Sequence, residues 1–387
     1  MKALVITSVA SMIEQFLYSS VNLLREMGYE VVVACNFSDG NTCNERQINN
    51  LKNRLTRDGV DYREISFSRN IKQIGSHIKS YKQVKALLDE GFNIIHCHSP
   101  IGGLITRLAI GRDHKEKVIY TAHGFHFYKG APLLNWLLFF PIEYFASFRT
   151  DVLITINKDD YIIAKKRLHS RKTEYIPGVG IDTVKIADNK PSREKREAIK
   201  GMLGISNAYT MLLSIGELNR NKNHIAVINA LGKIHRDYPQ YEWKYVICGI
   251  GPLEGFLRRE AEKQNISKQV VFAGYREDAW DLIYCADLFI HPSLREGLSV
   301  ALMEAIACEC PVICSDIRGN WDIVDERMLF DPKNVDDIVN LLEPCLNGSH
   351  EVHTNYKNRI TYNLRKLEKC KISNINEKMK RIYEISG

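Results

Sequence analysis

Residues 288–316 read LFIHPSLREGLSVALMEAIACECPVICSD. The runs LFIH and PVICS have the length and apolar character of buried strands, and LSVALMEAIAC between them that of a buried helix. Strand, short loop, helix and strand in this order belong to a parallel sheet covered by helices. Two carboxylates, Glu296 and Glu304, stand eight residues apart. Glu304 lies in a helix that is otherwise apolar or small, where an ionised carboxylate is costly unless something pairs with it. A ligand rich in hydroxyl groups would supply the donors. The alternative is a core helix with one glutamate snorkelling to a neighbour. Glu296 precedes Gly297, Leu298 and Ser299, whose amides open the helix. Free amides at a helix start, with the positive end of the dipole, favour an anion such as phosphate.

The same rhythm extends in both directions. ALVIT (3–7), EVVVAC (30–35), NIIHCH (93–98), KVIYTAH (117–123) and VLITI (152–156) are strands with helical patterns between them. TMLLSIG (210–216), KYVICG (244–249), QVVFAG (269–274), LFIHP (288–292) and PVICS (311–315) repeat it in the second half, and FDPKNVDDIVNLLEP (330–344) reads as a helix after a capped turn. Between the halves, Ile176–Ile181 and the polar run DNKPSREKRE (188–197) break the pattern and mark a domain boundary. The last 35 residues are helical and polar and carry no strand signal.

A chain of 387 residues suggests two domains. Ten cysteines without a C-x-x-C pair read as buried reduced thiols. The start MKALVITSVAS is a first strand, too short for the core of a signal peptide, so a cytosolic location is expected. The net charge of +7 is concentrated in the first half, where residues 1–182 hold 24 basic and 18 acidic side chains. Residues 52–85 alone hold nine basic against three acidic. Such a face attracts nucleic acid, anionic lipid or a phosphorylated acceptor, or is simply solvated. Residues 132–148, PLLNWLLFFPIEYFASF, form the most apolar window, shorter than the roughly 20 residues of a spanning helix. Two readings compete for it: a core helix, or an interfacial helix anchored by Trp136, Tyr144 and Arg149.

In an open parallel sheet, ligands bind beyond the carboxyl ends of the strands. TAHG (121–124) places His123 there, with His96, His98 and His126 nearby in sequence. SIGELNRNKN (214–223) places Arg220 and Lys222, cations suited to a diphosphate or to an exposed capped turn. CGIGP (248–252) brings Gly249 and Gly251, AGYRED (273–278) brings Tyr275 and Arg276, and SLREG (293–297) completes the rim. No H-x-x-x-H, H-E-x-x-H or D-x-D is present, so no metal is implied. A dinucleotide fingerprint is absent, because the G-x-G lacks its third glycine and the turn Ser8–Ser11 has none.

EGLSVALME (296–304) resembles the E-x7-E motif of retaining glycosyltransferases of family 4. The resemblance spans nearly the whole chain. It takes in the small-residue loop Ser8–Ser11, TAHG, a lysine six residues after Gly216, the G-x-G-P turn and the helical tail. YTAHGFHF (120–127) and the apolar helix after it are similar to the bacterial capsule and exopolysaccharide branch. The resemblance implies a GT-B fold, an α/β architecture of two Rossmann-like, doubly wound parallel-sheet domains facing a cleft. An acceptor-binding domain would span 1–184 and a nucleotide-sugar-binding domain 185–370, with 371–387 packing back on the first. Glu304 would bind the nucleotide ribose, Glu296 the hydroxyls of the donor sugar, and the amides of Gly297, Leu298 and Ser299 the sugar and diphosphate. Arg220, Lys222, Gly249, Gly251, Tyr275 and Arg276 would complete the donor side. Ser8, Ala10, Ser11 and His123 would stand on the acceptor side, and His123, Glu296 and Lys222 would serve catalysis. Where the family's turn carries arginine this chain has Glu217, an acid unable to hold diphosphate, and Arg220 is the candidate substitute.

The function implied is transfer of a sugar, with retention, from a nucleotide donor, UDP-linked, to a glycan hydroxyl on a polyprenyl-diphosphate-linked acceptor, in capsule or exopolysaccharide synthesis. The enzyme would need no cofactor and no metal, and would sit peripherally on an anionic membrane at the inner face of the plasma membrane. Two other readings stand beside it: a nucleotide-sugar 2-epimerase of the same fold, and a non-catalytic nucleotide- or nucleic-acid-binding protein. The chain has no RNA-binding aromatic motif or helix-turn-helix signal, which speaks against a nucleic-acid partner.

Overall fold

Runs rich in Val, Ile and Leu form the inner strands of two separate parallel sheets. The computed structural model describes residues 1–111, 114–347 and 350–384. The chain divides into two units, one made of Met1–Gly180 with the residues from Ser373 on, the other of Ile181–Ile372.

The first unit holds β1 (Lys2–Val9), β2 (Glu30–Asn36), β3 (Asp61–Glu64), β4 (Ile94–His98), β5 (Lys117–Ala122), β6 (Val152–Thr155) and β7 (Lys172–Tyr175). Their order is β3-β2-β1-β4-β5-β6-β7, parallel throughout. Because the order reverses at β1 and β4, right-handed crossovers place helices on opposite faces. Helices α1 (Tyr18–Glu26) and α2 (Glu45–Arg57) cover one face. The C-terminal helix joins them, sending Ile375, Met379, Ile382 and Tyr383 into the same core. Helices α3 (Ile74–Leu88), α4 (Pro100–Ile110), α5 (Leu133–Ser147) and α6 (Lys158–Arg167) cover the other. The expected strands are present. The edge strands β3 (DYRE) and β7 (KTEY) carry no apolar run, because an edge strand exposes its side chains.

Helix α5 answers the question posed by the apolar window, one face at a time. Trp136, Phe139 and Phe140 pack against the core, and Trp136 Nε1 donates to the Tyr128 carbonyl at 3.2 Å. Trp136 is therefore a packing residue, as in the core-helix reading, and not an interfacial anchor. The opposite face is open to solvent. Pro141 and Glu143 do not interrupt the helix; Glu143 turns inward and accepts from Arg107 Nη2 at 2.9 Å. Among the described residues no helix is long and apolar enough to cross a membrane.

The second unit holds β8 (Thr210–Ile215), β9 (Trp243–Cys248), β10 (Val270–Gly274), β11 (Leu288–His291), β12 (Val312–Ser315) and β13 (Leu329–Phe330). Their order is β10-β9-β8-β11-β12-β13, again all parallel. Helix α7 (His224–Asp237) follows β8, and α8 (Val300–Ala307) follows β11.

Candidate active site

In the second unit the strand order reverses between the neighbours β8 and β11. Their crossover helices leave on opposite faces, so the loops beyond their carboxyl ends part and leave a crevice. The β8 loop carries Lys222 and the β11 loop carries Glu296. Main-chain and amide bonds stitch the two loops together: Leu294 N donates to the Asn221 carbonyl at 2.7 Å, and Asn221 Nδ2 donates to the Arg295 carbonyl at 2.8 Å. The stem of Lys222 lies against Gly216, where a Cβ would come within 3.1 Å of its Cδ. Lys222 Nζ then donates to Glu296 Oε1 at 2.7 Å. His291 Nε2, buried at the end of β11, lies 3.6 Å from the same oxygen. Burial alone would raise the Glu296 carboxyl, but the Lys222 ammonium and His291 outweigh it and hold the group well below the usual carboxylate range. Glu296 is thus an anion at neutral pH, with a fixed cation beside it.

Ser299 caps α8, its side chain accepting from Leu302 N, and the amides of Gly297 and Leu298 lie just outside the helix. Glu304 stands in α8 and accepts from Trp280 Nε1 at 2.8 Å. Here burial wins over that hydrogen bond and the carboxyl is pushed up from its ordinary value. The indole holds one of the two Glu304 oxygens. Buried Ser293 Oγ has no hydrogen-bond partner among the described residues, which is unusual inside a native rim, while His291 Nε2 has the Glu296 oxygen at 3.6 Å as its neighbour.

The remaining donor-side candidates divide. Gly249 and Gly251 permit a close approach, but to the β8 loop: a Cβ at 249 would fall 2.0 Å from the Gly216 carbonyl oxygen, and one at 251 would fall 2.6 Å from Leu218 N. Arg276 forks onto Asp278 at 2.8 and 2.6 Å, so its guanidinium is already engaged. Tyr275 is partly exposed beside it. Glu217 and Arg220 point to solvent.

The first unit gathers histidines at the carboxyl ends of β4 and β5. His96 Nδ1 lies 2.7 Å from the Tyr383 hydroxyl and His96 Nε2 2.8 Å from Thr121 Oγ1. His98 Nδ1 lies 3.2 Å from His123 Nε2. Desolvation pushes His96 down to about 3 and His123 down to about 4, and His98 also falls well below its ordinary value. All three rings are neutral at pH 7, so His123 acts as a hydrogen-bonding group and not as a cation. His126 does not join them; it stacks on Phe139 at 4.5 Å. The expected loop Ser8–Ser11 is not a loop either. β1 runs to Val9 and a helix starts at Ala10, which is buried. Ser8 Oγ is taken up by Ser99 Oγ at 2.7 Å and the Gly102 amide at 3.1 Å, and Ser11 Oγ accepts from Thr42 N at 3.4 Å. These side chains knit the strand end to its neighbours. Among the described residues no three His, Cys, Asp or Glu side chains group as metal ligands.

Comparison with known proteins decides the family. The profile described as Glycosyltransferase Family 4 matches residues 13–184, and that of Glycosyl transferases group 1 matches 195–366. The UDP-Gal:alpha-D-GlcNAc-diphosphoundecaprenol alpha-1,3-galactosyltransferase of Escherichia coli is 30% identical over 70% of this chain and 70% of its own length. The chain belongs to glycosyltransferase family 4. The putative glycosyltransferase EpsD of Bacillus subtilis is 39% identical to this family 4 chain over 63% of it, and the match spans 64% of the relative's length, just under two thirds. The crystal structure of Anabaena Alr3699/HepE in complex with UDP and glucose has the same fold, with a TM-score of 0.77 at 15% identity over 98% of this chain and 99% of that one.

Within this family 4 glycosyltransferase, the sequence pointed to Lys222, Glu296 and Glu304 but not to His291 or Trp280, which hold the two carboxylates. Arg220 is exposed, two residues before Lys222. Arg220→Ala is expected to lower kcat/KM by roughly tenfold, as befits one exposed phosphate contact. Steady-state kinetics check this; an unchanged rate means the arginine lost at Glu217 is not replaced from position 220.

Proposed function

We propose that the protein moves a sugar, with retention, from a UDP-sugar to a hydroxyl of a polyprenyl-diphosphate-linked saccharide, during assembly of a bacterial capsule or exopolysaccharide at the inner face of the plasma membrane. The observation that carries the reading is the Lys222–Glu296 pair, 2.7 Å apart at the β8/β11 switch point in front of α8. A fixed ammonium there answers the charge that grows on a departing diphosphate, and a fixed carboxylate accepts from sugar hydroxyls. The names of the relatives support the chemistry: the Escherichia coli enzyme takes UDP-Gal and a diphosphoundecaprenol-linked sugar.

In the step, the bond between the anomeric carbon and the β-phosphate oxygen breaks. The acceptor hydroxyl oxygen bonds to the same face of that carbon, and its proton leaves with the diphosphate. The protein's part is positioning and electrostatics. Lys222 holds the diphosphate, Glu296 the sugar and Glu304 the ribose, while neutral His123 offers a hydrogen bond on the acceptor side. No step calls for a metal.

Incubation with UDP-sugars, with and without a lipid-linked saccharide, tests the proposal. UDP is expected to accumulate only when the acceptor is present, together with an extended glycan. Conversion of the UDP-sugar to its epimer without acceptor would replace the transferase reading with an epimerase.

A further inference from the structure

Helix α5 is built inside out. Its one charged residue, Glu143, is buried and paired with Arg107 at 2.9 Å, and Tyr120 donates to its other oxygen at 3.2 Å. Its outer face has no charge at all: Leu133, Leu134, Leu137, Leu138, Ile142 and Phe145 are 43% to 81% exposed. At the helical repeat these six side chains fall within one half of the circumference. The buried ion pair and the packing of Trp136, Phe139 and Phe140 fix the rotation of the helix, so its leucines cannot turn inward. A contiguous apolar face of this kind marks an interaction surface.

The frame around the face is cationic. Lys129, exposed, precedes the helix, and Arg149, half-buried, follows it. Arg167 lies over the Trp136 ring at 5.3 Å. From Lys117 to Thr150 the only acidic residue is the buried Glu143. Helix α3, on the same face of the sheet, repeats the pairing: Ile74 and Ile78 are 67% and 54% exposed, next to exposed Lys79, Lys82 and Lys85. In parallel crossovers the start of each helix lies at the carboxyl end of the preceding strand. The exposed isoleucines of α3 and leucines of α5 therefore share the edge of the unit that carries His123. The link to that edge is direct, since Asn135 Nδ2 donates to the His126 carbonyl at 3.0 Å.

We propose that this edge of the first unit seats on an anionic bilayer, with the outer face of α5 entering the boundary between headgroups and acyl chains and the α3 lysines lying against the headgroups. Apolar side chains framed by cations match a lipid surface of negative charge. The proposal rests on the lipid-linked acceptor of the preceding section, because such an acceptor is presented at that surface.

Flotation with phosphatidylglycerol–phosphatidylcholine vesicles, without any acceptor, tests it. The wild-type protein is expected to bind at low salt and to keep part of that binding at about 1 M salt, where the Debye length is about 3 Å. Leu134→Ser with Leu137→Ser should lower the high-salt partition by roughly tenfold or more, as two exposed leucines lose their insertion. Lys79→Gln with Lys82→Gln should weaken binding at low salt only. Both variants should retain wild-type kcat/KM on a water-soluble, short-chain acceptor analogue. That measurement separates failure of the membrane seat from failure of the transferase reading. Wild-type protein that ignores the vesicles at low salt would overturn the proposal. So would a leucine variant that floats like the wild type at high salt, or a wild-type dimer that the leucine changes dissociate with no effect on vesicle binding.

Discussion

Glu304→Gln is expected to lower kcat/KM by about 30- to 1000-fold, the loss of about 2–4 kcal/mol from a charge-assisted hydrogen bond in a partly buried site. The variant keeps the size of the side chain and replaces a charged acceptor with an amide. The Trp280 indole can still donate to the amide oxygen, so α8 should remain in place. The loss also has a pH signature. Burial raises the Glu304 carboxyl above its ordinary value. As pH falls through that raised value, the wild-type carboxyl gains a proton and ceases to be a double acceptor, and donor affinity declines. Binding of the donor in turn favours the ionised form and draws the value down. Glu304→Gln should show neither the affinity nor this dependence. Donor kinetics across the acid range check both expectations, and transfer at the wild-type rate would remove Glu304 from the donor site.

Lys222→Ala should lower kcat by about a hundredfold or more, with a smaller effect on donor KM, because the ammonium meets more charge in the transition state than in the ground state. The change also strips Glu296 of the partner 2.7 Å away, so part of the loss would come from a carboxylate left beside His291 alone. Lys222→Arg separates the two effects. It keeps the cation for Glu296 and should preserve thermal stability while restoring only part of kcat, since the guanidinium cannot occupy the same point. A Lys222→Ala enzyme with unchanged kcat and a raised KM would place the lysine in ground-state binding alone.

The inner strands could be read because each is a run of apolar, mostly β-branched residues, as in EVVVAC and LFIH. The edges could not. DYRE and KTEY are strands only because a neighbour offers them a ladder, and β13 is two residues long. The switch point could be placed from the order of motifs, but its contents only in part. Lys222 and Glu296 meet across 74 residues and Trp280 reaches Glu304 across 24, distances at which no local pattern survives. His291 ends the apolar run LFIH, and nothing in that run signals that its ring faces Glu296. In the first unit the uniform composition of residues 132–148 hid which side faces inward. The rotation of α5 is set by the pairing of Glu143 with Arg107, 36 residues away. The same long-range packing assigns Trp136 to the core, and it took up Ser8 and Ser11 in bonds between the strand end and its neighbouring loops.

The central claim is that the β8/β11 rim of the second unit is a nucleotide-sugar seat in which Glu304 holds the ribose. Isothermal titration of a UDP-sugar panel into wild-type and Glu304→Gln protein tests it most directly. Saturable binding of at least one UDP-sugar is predicted for the wild type, weakening as pH falls, with affinity reduced about thirtyfold or more and nearly independent of pH in the variant. Equal dissociation constants for the two proteins, or no binding of any UDP-sugar to the wild type, would contradict it.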